Sequence, residues 1–158
     1  MPDDAAKPVK RTHVSDATLR RLVGYNLKRA FLVIGADLAR TLEPYELRML
    51  TYTALTLVSD KPGLSQSQLA DAMQVERPNL VVIVDELETR GLITRDRVPT
   101  DRRTYALQIT DEGAELLAEA TRAVGEHENQ MMGGLTKAEE AALISTLKRI
   151  ETSLTGRS

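Results

Sequence analysis

The chain contains no cysteine. Disulfides, thiolate metal sites and thiol-based redox sensing are therefore excluded. Its two histidines, His13 and His127, lie far apart and fit no ligand or triad spacing, which argues against a zinc site. Neither a G-x-S-x-G elbow nor a glycine-rich phosphate loop is present, so no enzyme class is indicated and no cofactor is expected. No apolar run approaches the length of a membrane span, and the opening "MPDDAAKPVK" lacks the apolar segment of a signal peptide. A cytoplasmic protein with no membrane partner is expected. Aromatic residues make up only 3%, which leaves the packing to Leu, Val, Ile and Ala and favours helices.

What is present fits an ordinary globular chain. Hydrophobic residues are 42% and charged residues 28% of 158, enough for one domain or two small units sharing a core. The formal net charge of −2 hides a pattern. Residues 90–103 hold five Arg against two Asp, and residues 1–48 hold nine Lys and Arg against six acids. Residues 111–140 hold eight acids against two bases. Local charge of this kind says more about partners than the pI does.

Periodicity predicts mostly helix. Ser15 caps a first helix ending near Leu42, with Leu19, Leu22, Val23, Leu27, Phe31, Ile34 and Leu38 at helical spacing. Pro44 opens a second helix running to about Val58, with a stripe of Leu47, Leu50, Ala54 and Val58. Ser65 and Gln68 have capping-box spacing and start a short third helix. A tight turn at Gln74 to Glu76 leads to a fourth, with Pro78 in its first turn, a stripe of Leu80, Ile83, Val84 and Leu87, and Gly91 as its stop. Leu92 to Arg95 and residues 104–110 read as paired strands around a projecting polar tip, Asp96 to Arg103. Thr110 caps a fifth helix that stops at Gly133 and Gly134, and Thr136 with Glu139 caps a sixth.

The expected fold is mainly α with a small β-wing: a winged helix-turn-helix flanked by terminal helices. Residues 1–14 form a flexible N-terminal arm. Residues 44–110 form the DNA-binding lobe. Residues 15–43 and 111–158 form dimerisation helices, since their apolar stripes have no sheet to cover.

The stretch "LADAMQVERPNLVVIVDELETRGLITRDRVPTDRRTYALQITDEG", Leu69 to Gly113, resembles the MarR family (multiple antibiotic resistance regulators). The resemblance rests on "L-A", then "V-x-R-P", then "D-x-L-E-x-R-G-L-I", then "D-R-R" followed by "L-x-I-T-x-x-G". It implies a homodimer whose terminal helices intertwine and whose two lobes straddle a pseudo-palindromic double-stranded DNA operator. It also implies a repressor released by a small molecule, such as an aromatic carboxylate, a phenolic or a CoA thioester.

The fourth helix is then the recognition helix, with Arg77, Pro78, Asn79, Val81 and Val82 outside its core stripe. Arg and Asn at its N-terminal end suit guanine and adenine edges. The two valines stand where family members often carry Thr or Arg. Either they meet thymine methyl groups, or the helix phase differs slightly and one of them is buried. Ser65, Gln66 and Ser67 open the preceding helix, where free amides suit phosphate; for Ser65, capping alone is the preferred reading. Arg97, Arg102 and Arg103 at the wing suit a narrow, negative minor groove, and Asp101 supports them by pairing with a neighbouring Arg.

For the effector, Tyr45, Arg48, Met49 and Tyr52 share a face of the second helix at i, i+3, i+4 and i+7. Tyr25 and Arg29 on the first helix could complete an aromatic carboxylate site of ring stacking and a guanidinium fork; the alternative is a half-wet dimer seam. The basic arm with Lys7, Lys10, Arg11 and His13 could add phosphate contacts to DNA or ligand, or remain a tail. Two other readings stay open: a winged helix serving protein–protein contact, and a DNA-binding regulator without an effector.

Overall fold

The computed structural model describes residues 14–98 and 101–155, and their side chains except at 98, 101–104, 154 and 155. The chain divides into two units, Met1–Ile34 and Gly35–Ser158. The N-terminal arm, with Lys7, Lys10, Arg11 and His13, lies outside the described residues apart from its last position.

In the first unit the predicted continuous helix from Ser15 does not form. Leu19–Arg21 make a single 3-10 turn, and Leu22 is extended at φ −97°, ψ 125°. Helix α1, Val23–Leu42, begins only after this break. Local polar groups hold the break: the Asn26 side-chain amide donates to the carbonyls of Arg20 and Leu22, both at 2.8 Å. Competition of this kind from short polar side chains is invisible to apolar periodicity.

The second unit holds the sheet and the core. A 3-10 turn, Glu43–Tyr45, ends at Glu46 in the left-handed region, φ 52°. Helix α2 therefore spans Met49–Asp60, not a helix from Pro44. The later start rotates the buried stripe to Thr51, Ala54, Leu55 and Val58, and the expected core residue Leu50 is 45% exposed. The non-glycine left-handed corner is secured from outside: the Arg90 guanidinium donates to the carbonyls of Tyr45 and Glu46 at 3.0 and 2.6 Å.

Strand β1, Leu64–Ser65, leads into α3, Gln66–Met73, and α4, Arg77–Thr89. Strands β2, Ile93–Val98, and β3, Asp101–Ile109, follow, then α5, Asp111–Met131, and α6, Lys137–Thr155. The sheet is antiparallel in the order β1-β3-β2. Two corrections concern it. The hairpin gains a third strand, β1, too short to show alternation. Pairing also runs out to Val98↔Asp101, with a register shift after Arg97, so most of the predicted loop tip is strand.

The core lies between α2, α3, α4, the sheet and the first half of α5, through Leu55, Leu69, Leu80, Leu87, Ile93 and Leu107. Gly113 in the first turn of α5 is required by packing: a Cβ there would sit 2.1 Å from the Leu92 carbonyl oxygen. No described helix is long and apolar enough to cross a membrane.

Candidate nucleic-acid interface

Of the two helices that would meet DNA, α3 carries the capping box predicted for it, and α4 has Pro78 in its first turn with no side-chain cap. The Ser65 hydroxyl accepts from the Gln68 amide at 3.2 Å, and the Gln68 side chain accepts from the Ser65 amide at 3.0 Å. Ser65 is thus occupied as a cap, while Gln66 is half-buried and Ser67 exposed at the start of α3. Gln74, left-handed at φ 52°, turns the chain into α4.

Helix α4 buries Leu80, Ile83, Val84 and Leu87. Arg77, Pro78, Asn79, Val81 and Val82 are all exposed, so the predicted phase is correct and neither valine is buried. Further along the same face stand Asp85 and Glu86, and both carboxylates have arginine partners from outside the helix. Arg95 of β2 binds Asp85, and its Nε lies 3.3 Å from Glu88. Arg48, just before α2, binds Glu86. The acids that would repel phosphate are thereby neutralised within the fold.

The wing arginines fall into two groups. Arg90 holds the Tyr45–Glu46 corner, and Arg95 staples β2 to α4; neither is available as a free charge. Arg97 is exposed, opposite Tyr105 in the ladder. Arg102 and Arg103 lie on the backbone of β3, and their side chains, like that of Asp101, are outside the described residues. The Arg95 staple was readable in principle. Asp85 and Glu88 sit at i, i+3 on one helix face, and a strand leaving Gly91 must run back past that face.

The four effector candidates of the second unit do not all lie on one helix. Tyr45 belongs to the 3-10 turn, Arg48 precedes α2, and only Met49 and Tyr52 lie on the helix, so the shared face does not exist as predicted. Arg48 and Met49 do line one open cavity of about 640 Å3, together with Arg40, Glu43, Leu47 and Glu86. The Tyr52 hydroxyl instead lies 3.2 Å from Thr121 on α5. In the first unit the Tyr25 hydroxyl donates to Asp16 at 2.8 Å, with the Arg20 guanidinium carbon 5.5 Å from the ring centroid, and Arg29 is exposed. This hydrogen bond is the main cause of a raised Tyr25 pKa and of an Asp16 carboxyl held below its usual range.

A second polar cluster was not foreseen. Asp37 on α1 binds Arg40 and lies 2.5 Å from Nε2 of the largely buried His127 on α5. The Arg40 contact first, and His127 second, hold the Asp37 carboxyl below the usual carboxylate range. Among the described residues no cluster could hold a metal ion.

The MarR family model matches residues 47–105, which cover α2 to the wing. A protein of Thauera aromatica, assigned to transcriptional regulation of the hcr operon, is 40% identical over 129 residues, 81% of this chain and 78% of its own. The transcriptional repressor CouR bound to a 23-mer DNA duplex superposes with a TM-score of 0.85 and 35% identity, over 89% of this chain and 99% of that one. CouR bound to p-coumaroyl-CoA gives a TM-score of 0.79 and 34% identity, over 88% and 98%. A buried-stripe helix after a capped short helix, a three-stranded wing and these relatives lead to one assignment: the chain belongs to the MarR family of transcriptional regulators.

Proposed function

We propose that this chain is a homodimeric repressor that binds a pseudo-palindromic operator and releases it when a small aromatic acid, or its CoA thioester, binds. The observation that carries the DNA reading is the α4 face. Arg77 and Asn79 stand exposed at its N-terminal end, the acids behind them are paired, and the wing lies alongside. An N-terminal helix end reaches base edges, and arginines beside it fix position on phosphates or in the minor groove. CouR, 35% identical to this chain and solved on a 23-mer DNA duplex, supports a DNA-binding role here.

Dimerisation is supported by the terminal helices. On α6, Leu143, Ile144 and Leu147 are exposed, and on α1 so are Leu27, Phe31, Leu32 and Val33. Apolar stripes at this density mark an interface. The effector class is supported by CouR bound to p-coumaroyl-CoA, and by the cavity beside Arg48 and Met49. An anion drawn to Arg48 has to compete with Glu86 on the recognition helix. The Arg48–Glu86 pair joins the cavity to the DNA-reading element.

The test is a gel shift on the duplex upstream of the protein's own gene, with a salt titration and added p-coumaroyl-CoA. Binding should weaken steeply with salt and be reversed by the thioester. Arg102→Ala or Arg103→Ala should weaken binding and flatten the salt slope with folding intact. Unchanged shifts and slopes in both variants remove the wing from the interface.

A further inference from the structure

We propose that Val81 and Val82 are specificity determinants that read the 5-methyl groups of thymine in the major groove. The inference rests on the DNA-binding reading above and adds which base the middle of the recognition helix selects.

Val81 is 43% exposed and Val82 62%, side by side on the face opposite the buried stripe. An isolated exposed apolar residue needs no explanation. Two adjacent valines at the centre of a DNA-facing helix are a different case, because of what surrounds them. Asn79 stands three residues before Val82, and Pro78 three before Val81, so each valine continues a row that begins at the reading end. Four residues beyond each valine stands a carboxylate, Asp85 after Val81 and Glu86 after Val82. Those carboxylates are held by Arg95 and Arg48. Each arginine engages one carboxylate oxygen, which weakens these acids as acceptors for cytosine amino groups and lessens their repulsion of the backbone. The surface left for base contact has a polar first turn and an apolar second turn.

An apolar second turn has one favourable target in the major groove. Each base presents hydrogen-bonding groups there, and thymine alone adds a methyl group, at C5. Covering polar edges with valine leaves them unpaired, which is unfavourable. Covering a methyl removes apolar surface from water on both partners. The selected half-site is thus expected to carry thymine at one or two positions, next to the purines read by Arg77 and Asn79.

The experiment starts with the full chain and a pool of randomised duplex DNA, from which bound duplexes are recovered and sequenced. The best duplex is then remade with deoxyuridine replacing one thymine at a time, which deletes only the methyl. Wild-type binding should weaken about fourfold per critical methyl. In the double variant Val81→Ala, Val82→Ala that sensitivity to uracil should fall, because alanine covers less of the methyl. Both substitutions are on the surface and favour helix, and an unchanged thermal melt will show that the variant is folded. Uracil tolerated at every position by the wild type overturns the proposal. So does an undiminished uracil effect in the folded double variant. A pool that yields no enriched sequence overturns the DNA-binding reading itself, and this inference with it.

Discussion

In the lobe around the sheet, apolar stripes meet partners within the same chain. Leu55, Leu69, Leu80, Leu87, Ile93 and Leu107 are all fully buried. On α6 the pattern is reversed: Ile144 is 45% and Leu147 40% exposed. The lobe's core is complete in one chain, while α6 shows a face that its own chain leaves uncovered. The same contrast separates charges. Arg90 and Arg95 are tied to neighbours inside the lobe, and Arg97, a few residues on, faces outward.

The comparison can be broken most directly by truncation. Leu107→Ala, in the central strand, should lower the unfolding free energy by roughly 2–5 kcal/mol. Ile144→Ala should shift a dilute-solution urea midpoint far less. Equal shifts would show that α6 contributes to the same core.

The second test addresses what covers α6. A carboxylate placed in an apolar contact is strongly unfavourable, so Leu147→Glu should weaken self-association by about a hundredfold. Sedimentation should then show monomers with helical signal retained. A wild-type chain that is monomeric at every concentration sinks the dimer reading.

Next, the two kinds of wing arginine can be told apart. Arg95→Ala should lower stability by about 1 kcal/mol, the scale of a partly exposed ion pair, and weaken DNA binding by loosening the wing. Arg97→Ala should leave the melt unchanged and reduce the salt slope by about 1. If both variants changed the melt equally, the division between structural and DNA-facing arginines would fail.

The smallest effect concerns Asp37. Its carboxyl is held below the usual range by Arg40 and His127. A carboxylate with a depressed folded pKa stabilises fully above its unfolded value, near 3.9, and that stabilisation is lost as pH falls through the lower folded value. Wild type and Asp37→Asn should therefore differ slightly at neutral pH and converge below about pH 4. A difference at neutral pH that never narrows as the chain is acidified to unfolding would show that the ion pairs are not the source.

Much of the lobe was legible because its signals are local. The stripe of α4 and the caps at Ser65, Thr110 and Thr136 each depend on residues within four or five positions. What escaped depended on distant partners or on backbone geometry. Glu46 adopts a left-handed conformation that its side chain does not advertise, and its support, Arg90, comes from 44 residues later. Arg48 meets Glu86 across 38 residues, so its reading as a free ligand fork missed an existing partner. Counting the wing's net charge likewise could not separate Arg95, already bound to Asp85, from Arg97. The apolar spacing from Leu19 to Leu38 implied one continuous helix, and the Asn26 side-chain amide holds a break in it at Leu22.

The close approach at Gly113 gives α5 a mechanical character. With 21 residues, it is a rod about 31 Å long. One end is seated on the backbone of Leu92, at the root of the wing, its midpoint carries Thr121, the partner of Tyr52, and His127 stands nearer the far end. A swing of about 5° about the seated end moves the other by about 3 Å, given the helical rise. No side chain lies between rod and carbonyl to absorb such a swing. The helix thus meets the chain at Leu92, immediately before the strand that carries Arg95 and Arg97.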